Sequence, residues 1–389
     1  MTPGEPAFVL DQELPELERS LLDLGEPAYR ARQVWRWLYR GLACCFGQMT
    51  DLPRSLRDRL STRFTFDGLH PLAHLASPDG LTRKSLFQLA DGNTIESVLM
   101  LYDATDNGKA RRTVCVSTQV GCALGCAFCA TGQGGLVRNL SVGEIVGQVI
   151  HFAHQITHDH NVASADAPPT PYPANPTPFP PITNIIFAGM GEPLANYAAT
   201  LAAVRRLNDP DGFALGARHM LISTAGLVPG IRRLAQEKLQ VSLAVSLHAP
   251  TDELRARIMP INRRYPLAEV LAACRDYVQD TGRRVAFEYI LIEGVNSLPS
   301  HARQLAALIQ GMTSMVNLIP MNPVAGSALT APRRETVIAF QSILNAAGIV
   351  ATVRVDRGSE IQAACGQLRA RVENRTTETT GKRGGTGRV

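Results

Sequence analysis

The stretch "GCALGCAFCAT", residues 121–131, places three cysteines in eight positions: Cys122, Cys126 and Cys129, spaced C-x3-C-x2-C. Thiolates this close can hold a metal. Structural zinc sites and ordinary iron–sulfur sites take four protein ligands, so one is missing. A histidine is one candidate, since His151, His154 and His158 recur at i, i+3 and i+7 on the helical segment that follows. That helix would have to turn its middle toward the loop, whereas the starts of helices lie at the active end of an α/β unit. The other answer is that the vacancy is functional. A cluster held by three thiolates leaves one iron open to a substrate or cofactor, and open positions mark catalytic metal sites.

Other residues able to do chemistry follow short apolar runs. "FAGMGEPLAN" offers Gly189 and Gly191 for close backbone approach and Glu192 as an acceptor for an ammonium group. "ISTAG" carries Ser223, "AVSLHAP" carries Ser246 and His248, and "IPMNP" carries Asn322. Each has a plainer explanation: the serines as helix caps, His248 as a satisfied buried histidine. Cys115 lies in "TVCVST", where strand alternation puts Thr113, Cys115 and Ser117 on one face and Val114 and Val116 on the other. With the valines packed on helices, Cys115 faces inward near the cysteine loop; a small buried hydrophobe is its plainer reading. Cys365 sits among Ala363, Ala364 and Gly366 with its sulfur sterically open. Cys44, Cys45 and Cys274 read as packing residues.

These residues need a scaffold, and the chain shows one. From about residue 111, β-branched runs ("RRTVCVST", "ITNIIFAG", "HMLISTAG", "QVSLAVSL", "RRVAFEYILI", "SMVNLIPM") alternate with helical patterns, and "IVATVRV" follows the sixth helix. Six strand–helix units predict a parallel sheet with right-handed crossovers, a partial (βα)6 TIM-like barrel in an α/β fold. Chemistry then belongs at the carboxyl ends of the strands, where the cysteine loop and the clusters with Glu192, Ser223, Ser246/His248 and Asn322 fall. Residues 1–75 read as a small helical domain, because "DQELPELERSLLDLG" and "RARQVWRWLYRG" have i, i+3/i+4 apolar spacing closed by glycine. Residues 76–110 read as a hairpin turning at Asp91-Gly92 and leading into the barrel, which spans 111–372. Residues 158–181 form a Pro-rich insertion, and 373–389 a disordered basic tail.

The chain has 389 residues, 45% hydrophobic, with formal net charge +5. No apolar run suits a membrane span, and the acidic start lacks the features of a signal peptide, so a cytoplasmic monomer is expected. Eight cysteines there speak for reactive or metal roles over disulfides. Residues 29–64 hold eight Arg against two Asp, interleaved with aromatics in "YRARQVWRWLYRG". Either this helix grips RNA phosphate while an aromatic stacks, or it buries a Trp35/Leu38 stripe and leaves its arginines in solvent.

The C-x3-C-x2-C loop after the first strand, with Phe128 before the third cysteine, resembles the radical S-adenosylmethionine (SAM) superfamily. "CVSTQVGCALGCAFCATG", "AGMGEPL", "SLHAP", "IPMNP" and "AACGQL" together resemble the RlmN/Cfr group of RNA adenosine methyltransferases, over about residues 15–372. The resemblance implies a [4Fe-4S] cluster on Cys122, Cys126 and Cys129. It implies SAM contacts at Gly191, Glu192, Ser223, Ser246, Leu247, His248 and Asn322. In the group, one SAM methylates the cysteine matching Cys365. A second yields a deoxyadenosyl radical that takes hydrogen from that S-methyl group. The carbon radical adds to adenine, and the cysteine matching Cys115 releases the product by forming a disulfide with Cys365. Glu96 matches the proton acceptor, although a strand glutamate ordinarily lies on a solvated face. RlmN members methylate C2 of an adenosine in 23S rRNA and of the adenosine 3′ of the tRNA anticodon, with an electron donor such as flavodoxin. The arginine-rich helix then belongs to an RNA-binding accessory domain. Cfr-type C8 methylation is the alternative, and a zinc-bound RNA-binding module without turnover the distant one. The chain departs from the group at "RGSEI", where Asp usually precedes Ile, and at Met321, where an aromatic is common.

Overall fold

Apolar spacing in the first sixty residues does make helices, and their stripes are buried. The computed structural model describes residues 6–102, 110–163, 180–322, 324, 327–354 and 361, the side chains of 158–163 excepted. Strand β1 (Ala7–Phe8) precedes α1 (Leu14–Asp23), α2 (Tyr29–Tyr39) and α3 (Arg54–Arg63), and β2 (Phe64–Thr65) pairs in parallel with β1. A capping box of Glu13 and Glu16 starts α1. Leu17, Leu21, Val34, Trp35, Trp37 and Leu38 are all buried. The tryptophans therefore pack in the core and offer no stacking platform, while Arg32 and Arg36 remain in solvent.

The helical expectation for residues 1–75 overreaches. Helix stops at Arg63, and β3 (Leu69–Ala76) is an antiparallel strand beside β4 (Thr82–Leu89) and β5 (Thr94–Tyr102). Pro71 obscured it, since proline cannot donate to a ladder; it is tolerated on this outermost strand, where the register shifts between Pro71 and Ala73. The β4–β5 hairpin is the expected one, but it is no linker, because β5 pairs with β6 (Arg111–Val116) and extends the main sheet.

Beyond β6 come β7 (Gln119–Gly121), α4 (Ala130–Gln133), β8 (Leu136–Asn139) and α5 (Val142–Ala163). The repeating units follow: β9 (Asn184–Phe187), α6 (Tyr197–Asn208), β10 (Met220–Thr224), α7 (Val228–Gln236), β11 (Ser242–Ser246), α8 (Asp252–Ile258), α9 (Leu267–Thr281), β12 (Val285–Leu291), α10 (Pro299–Ile309), β13 (Ser314–Pro320), α11 (Arg334–Ala346) and β14 (Ala351–Val353). The strand order is β14-β13-β12-β11-β10-β9-β6-β5-β4-β3, parallel from β14 to β6. This mixed sheet is the expected α/β architecture of six units plus one strand.

The sheet curls. The Arg354 guanidinium, just past β14, lies 4.0 Å from the Met100 sulfur on β5. Those strands are seven steps apart, about 34 Å if the sheet were flat. The concave face is a lumen. Along β12, Val285, Phe287 and Tyr289 are buried under helices while Ala286 and Glu288 stay half-exposed on the other face. The helical module docks outside, through Trp35 Nε1 donating to Asp209 (2.9 Å) and Arg206 donating to the Leu10 carbonyl, and it shares one apolar core with the barrel.

Candidate active site

The cysteine loop is cinched at its base. β7 and β8 pair antiparallel, and Cys122 N–H donates to the Gly135 carbonyl at 2.8 Å. Gly121 makes this crossing possible: it has φ +75°, and a Cβ there would stand 2.0 Å from the Gly135 oxygen. Inside, Cys129 N–H bonds the Cys126 carbonyl and Gly132 N–H the Cys129 carbonyl. Cys122 is buried, Cys126 and Cys129 half-buried. Burial pushes the Cys122 thiol up to about 11 and Cys126 up to about 12, and each also feels Cys129, so the three lie within electrostatic reach of one another. As free thiols Cys122 and Cys126 are protonated at neutral pH; a bound metal would reverse that.

Among the described residues, no three of His, Cys, Asp and Glu group around a point fit for a single ion. His151 is no fourth ligand. Its ring stacks on His74 at 5.4 Å and meets Phe87 edge-on, between α5 and strands β3 and β4. Three thiols on one tight loop, with no histidine or carboxylate grouped with them around one ion among the described residues, are a donor set that suits an iron–sulfur cluster with one open iron.

Around the lumen, the polar residues expected at strand ends do converge. Met190 N–H donates to Ser117 Oγ, and Glu192 N–H to Gln119 Oε1, tying the loop after β9 to that after β6. Gly191 has φ +99°, and a Cβ there would meet Gln119 Cβ at 2.5 Å. Glu192 differs from expectation. Its carboxylate already accepts from Leu194 N–H (3.0 Å) and Ala225 N–H (2.7 Å), joining the loops after β9 and β10, and burial pushes it up to about 7. Its first duty is to shape the backbone, and only spare lone pairs remain for an ammonium group.

Ser223 and Ser246 cap no helix. Both donate to Glu288 Oε2, at 2.9 and 3.4 Å. Glu288 escaped notice in the sequence, although the alternation that turned Cys115 inward applies equally to "VAFEYIL" and turns Glu288 inward too. Leu247 is buried, and its N–H donates to the Glu288 carbonyl at 3.0 Å. His248 adopts φ +59°, an uncommon left-handed backbone. Its Nδ1 accepts from Ile290 N–H at 3.0 Å, which leaves the proton on Nε2, and burial pushes the imidazole down to about 3. The ring sits edge-on to Phe128 at 4.8 Å, so the β11 loop touches the cysteine loop. Asn322 is half-buried beside Met321, which packs with Ile290 and Ile292 against Phe128.

Cys115 also faces the lumen. It pairs in register with Val98 and Ile186, and burial pushes its thiol up to about 11, with Arg354, Glu288 and Lys84 among the charges it feels. Glu96 is not on a solvated face. It is 3% exposed, two residues from Val98 and thus on the same face as Cys115, and it pairs with buried Lys84 at 3.7 Å. The hairpin forms part of the barrel wall, which is why its inward residues are buried. Cys365 lies outside the described residues, as do the tail and most of the Pro-rich insertion. Cys274 packs in the core as expected, but Cys44 and Cys45 are exposed.

Comparison with known proteins agrees with this arrangement. The chain is 50% identical over 388 residues to a probable dual-specificity RNA methyltransferase RlmN from Roseiflexus castenholzii, covering 92% of this chain and 94% of that one. This chain belongs to the RlmN family. A ribosomal RNA large subunit methyltransferase N of Nitrosopumilus maritimus is 43% identical, over 91% of this chain and 96% of its own. The crystal structure of a radical SAM methyltransferase from Sphaerobacter thermophilus superposes with a TM-score of 0.83 at 49% identity, over 93% and 99% of the two chains. The family's ribosomal RNA large subunit methyltransferase N-terminal domain matches residues 9–65, the helical module without β3. The chain is thus an RNA methyltransferase with the radical SAM fold, and no described helix is long and apolar enough to cross a membrane.

Proposed function

We propose that this enzyme methylates C2 of an adenosine in 23S rRNA and of the adenosine 3′ of the anticodon in tRNA. The observation that carries the reading is a shared lumen: Cys115, Glu96 and the pair Ser223/Ser246, from four strands of one curled sheet, face one space beside the cysteine loop. Cys122, Cys126 and Cys129 would hold a [4Fe-4S] cluster. When bound, the cluster supplies the electron that turns SAM into a source of a hydrogen-abstracting radical.

The chain's residues do the rest. Gly191, Glu192, Ser223, Ser246, Leu247, His248 and Asn322 line the space for SAM, with the two hydroxyls oriented by Glu288. The His248 Nε2–H is a neutral donor. Cys365 carries the methyl group as a thioether; that group gives a hydrogen atom to the radical, its carbon bonds to the adenine ring, and the odd electron of the adduct would pass back to the cluster. Glu96, held by Lys84, takes the proton from the ring carbon. Cys115 gives up its thiol proton and attacks the Cys365 sulfur. The S–S bond forms as the S–C bond breaks, and the carbon keeps the electron pair and gains a proton to become the methyl group. This splits one hard substitution into easier steps.

Nucleoside mass spectrometry after incubating anaerobically purified protein with SAM, a reductant and rRNA or tRNA tests the reading. 2-Methyladenosine from both RNAs is expected. 8-Methyladenosine overturns the C2 assignment, and a colourless zinc protein overturns the cluster. Cys115→Ala should accumulate a covalent RNA adduct at Cys365; normal turnover in that variant overturns its role.

A further inference from the structure

Arg255, on α8, is the largest side chain that the fold buries completely among the described residues. Its donors all meet uncharged oxygens. Nε donates to the Leu247 carbonyl (3.1 Å), Nη1 to Asn262 Oδ1 (2.9 Å) and the Tyr265 carbonyl (3.4 Å), and Nη2 to the carbonyls of Ala225 (2.6 Å) and Ser246 (3.1 Å). Its hydrogen bonding is complete, but none of these acceptors neutralises its charge. A guanidinium taken out of water without a counter-charge is costly. The acidic groups within its electrostatic reach are Cys126, Asp252 and Cys274, with Cys126 acting most strongly. Asp252 is engaged elsewhere, its Oδ1 accepting from Asn262 Nδ2 and Leu267 N–H.

The helix that carries Arg255 also touches the cysteine loop. Ala127 N–H, next to Cys126, donates to the Ile258 carbonyl at 2.9 Å. Leu254, Ile258 and Met259 pack with Leu124, Cys126 and Phe128. One cation therefore lies within electrostatic reach of a cluster thiol, on a helix packed against it, and also fastens the carbonyls of Ala225, Ser246 and Leu247, the backbone behind the serines of the SAM site.

We propose that Arg255 is a positioning residue whose charge is the built-in counter-charge of the iron–sulfur cluster and whose fork fixes the SAM-binding loops against it. The proposal rests on the cluster reading above. Three thiolates make the cluster net negative, and one-electron reduction adds another negative charge. A fixed cation in a water-poor setting favours both loading and reduction. A lysine in its place supplies a point charge but not five directed donors.

The test uses the anaerobically reconstituted holoenzyme and its Arg255→Met and Arg255→Lys variants. Iron and sulfide per chain, the cluster midpoint potential by dithionite titration with EPR, and SAM affinity are measured. Arg255→Met should lose iron and shift the midpoint to more negative values. Arg255→Lys should keep the wild-type midpoint but bind SAM about tenfold more weakly, the equivalent of one charge-assisted hydrogen bond. Wild-type iron content and midpoint in Arg255→Met overturn the proposal. If that variant does not fold, Arg255→Gln makes the same comparison, and an unshifted midpoint there overturns it too. A wild-type protein that takes up no iron overturns the cluster reading itself, before any substitution is compared.

Discussion

Replacing Lys84 with methionine keeps most of the length of the side chain and removes its charge from beside Glu96. The ammonium and the Glu96 carboxylate stand 3.7 Å apart with side chains 0% and 3% exposed. At an effective dielectric of about 20, that separation gives an attraction of about 4.5 kcal/mol. Breaking one half of such a pair costs about 3–5 kcal/mol, because the remaining charge stays buried and loses that counter-charge. Removing both charges should cost much less than the sum of the single losses. The assay is a double-mutant cycle of Lys84→Met, Glu96→Gln and the double variant, by urea unfolding of the apo-protein followed by far-UV circular dichroism. A coupling energy of about 3 kcal/mol or more is expected. A coupling under about 0.5 kcal/mol, the size found for solvent-exposed pairs, would refute the view that this pair is buried and intact in the barrel wall.

The His151 imidazole is pushed down to about 4 by burial and by its neighbours His74 and His154. The unfolded chain takes up a proton near pH 6.5 that the folded chain refuses, so stability is lost as pH falls from 6.5 toward 4, by about 2 kcal/mol between pH 7 and pH 5. His151→Phe should flatten that part of the pH dependence in urea midpoints, and an unchanged slope counts against it. Gly191→Ala places a Cβ against Gln119 at a residue with φ +99° and should weaken SAM binding about tenfold or more in equilibrium dialysis. Wild-type affinity would show that the loop yields there.

Most of the scaffold was legible in the sequence because its strands alternate cleanly. Val114 and Val116 against Cys115 identify a strand with one packed and one functional face, and the structure keeps that division. β3 was illegible because Pro71 interrupts its pattern, and only its edge position makes that proline harmless. Cys44 and Cys45 misled because cysteine is usually buried, and no local pattern marks these two as exposed. Glu96 was legible only through family resemblance, since burial of a strand glutamate depends on what covers the strand.

By itself the sequence determined the cysteine spacing, the order of the strand–helix units and the placing of Ser223, Ser246 and His248 at strand ends, all local properties of backbone periodicity and side-chain chemistry. Only the tertiary structure decided which charges face one another. Lys84 meets Glu96 because neighbouring strands pair in one register, and Glu288 receives two serines because three strands bring them to one face. Arg255, in "DELRARI", reads as one charge on a surface helix; it becomes a buried cation because the carbonyls of three separate loops close around it. Charges act through space, across residues distant in the chain, so their roles appear only when the chain is folded.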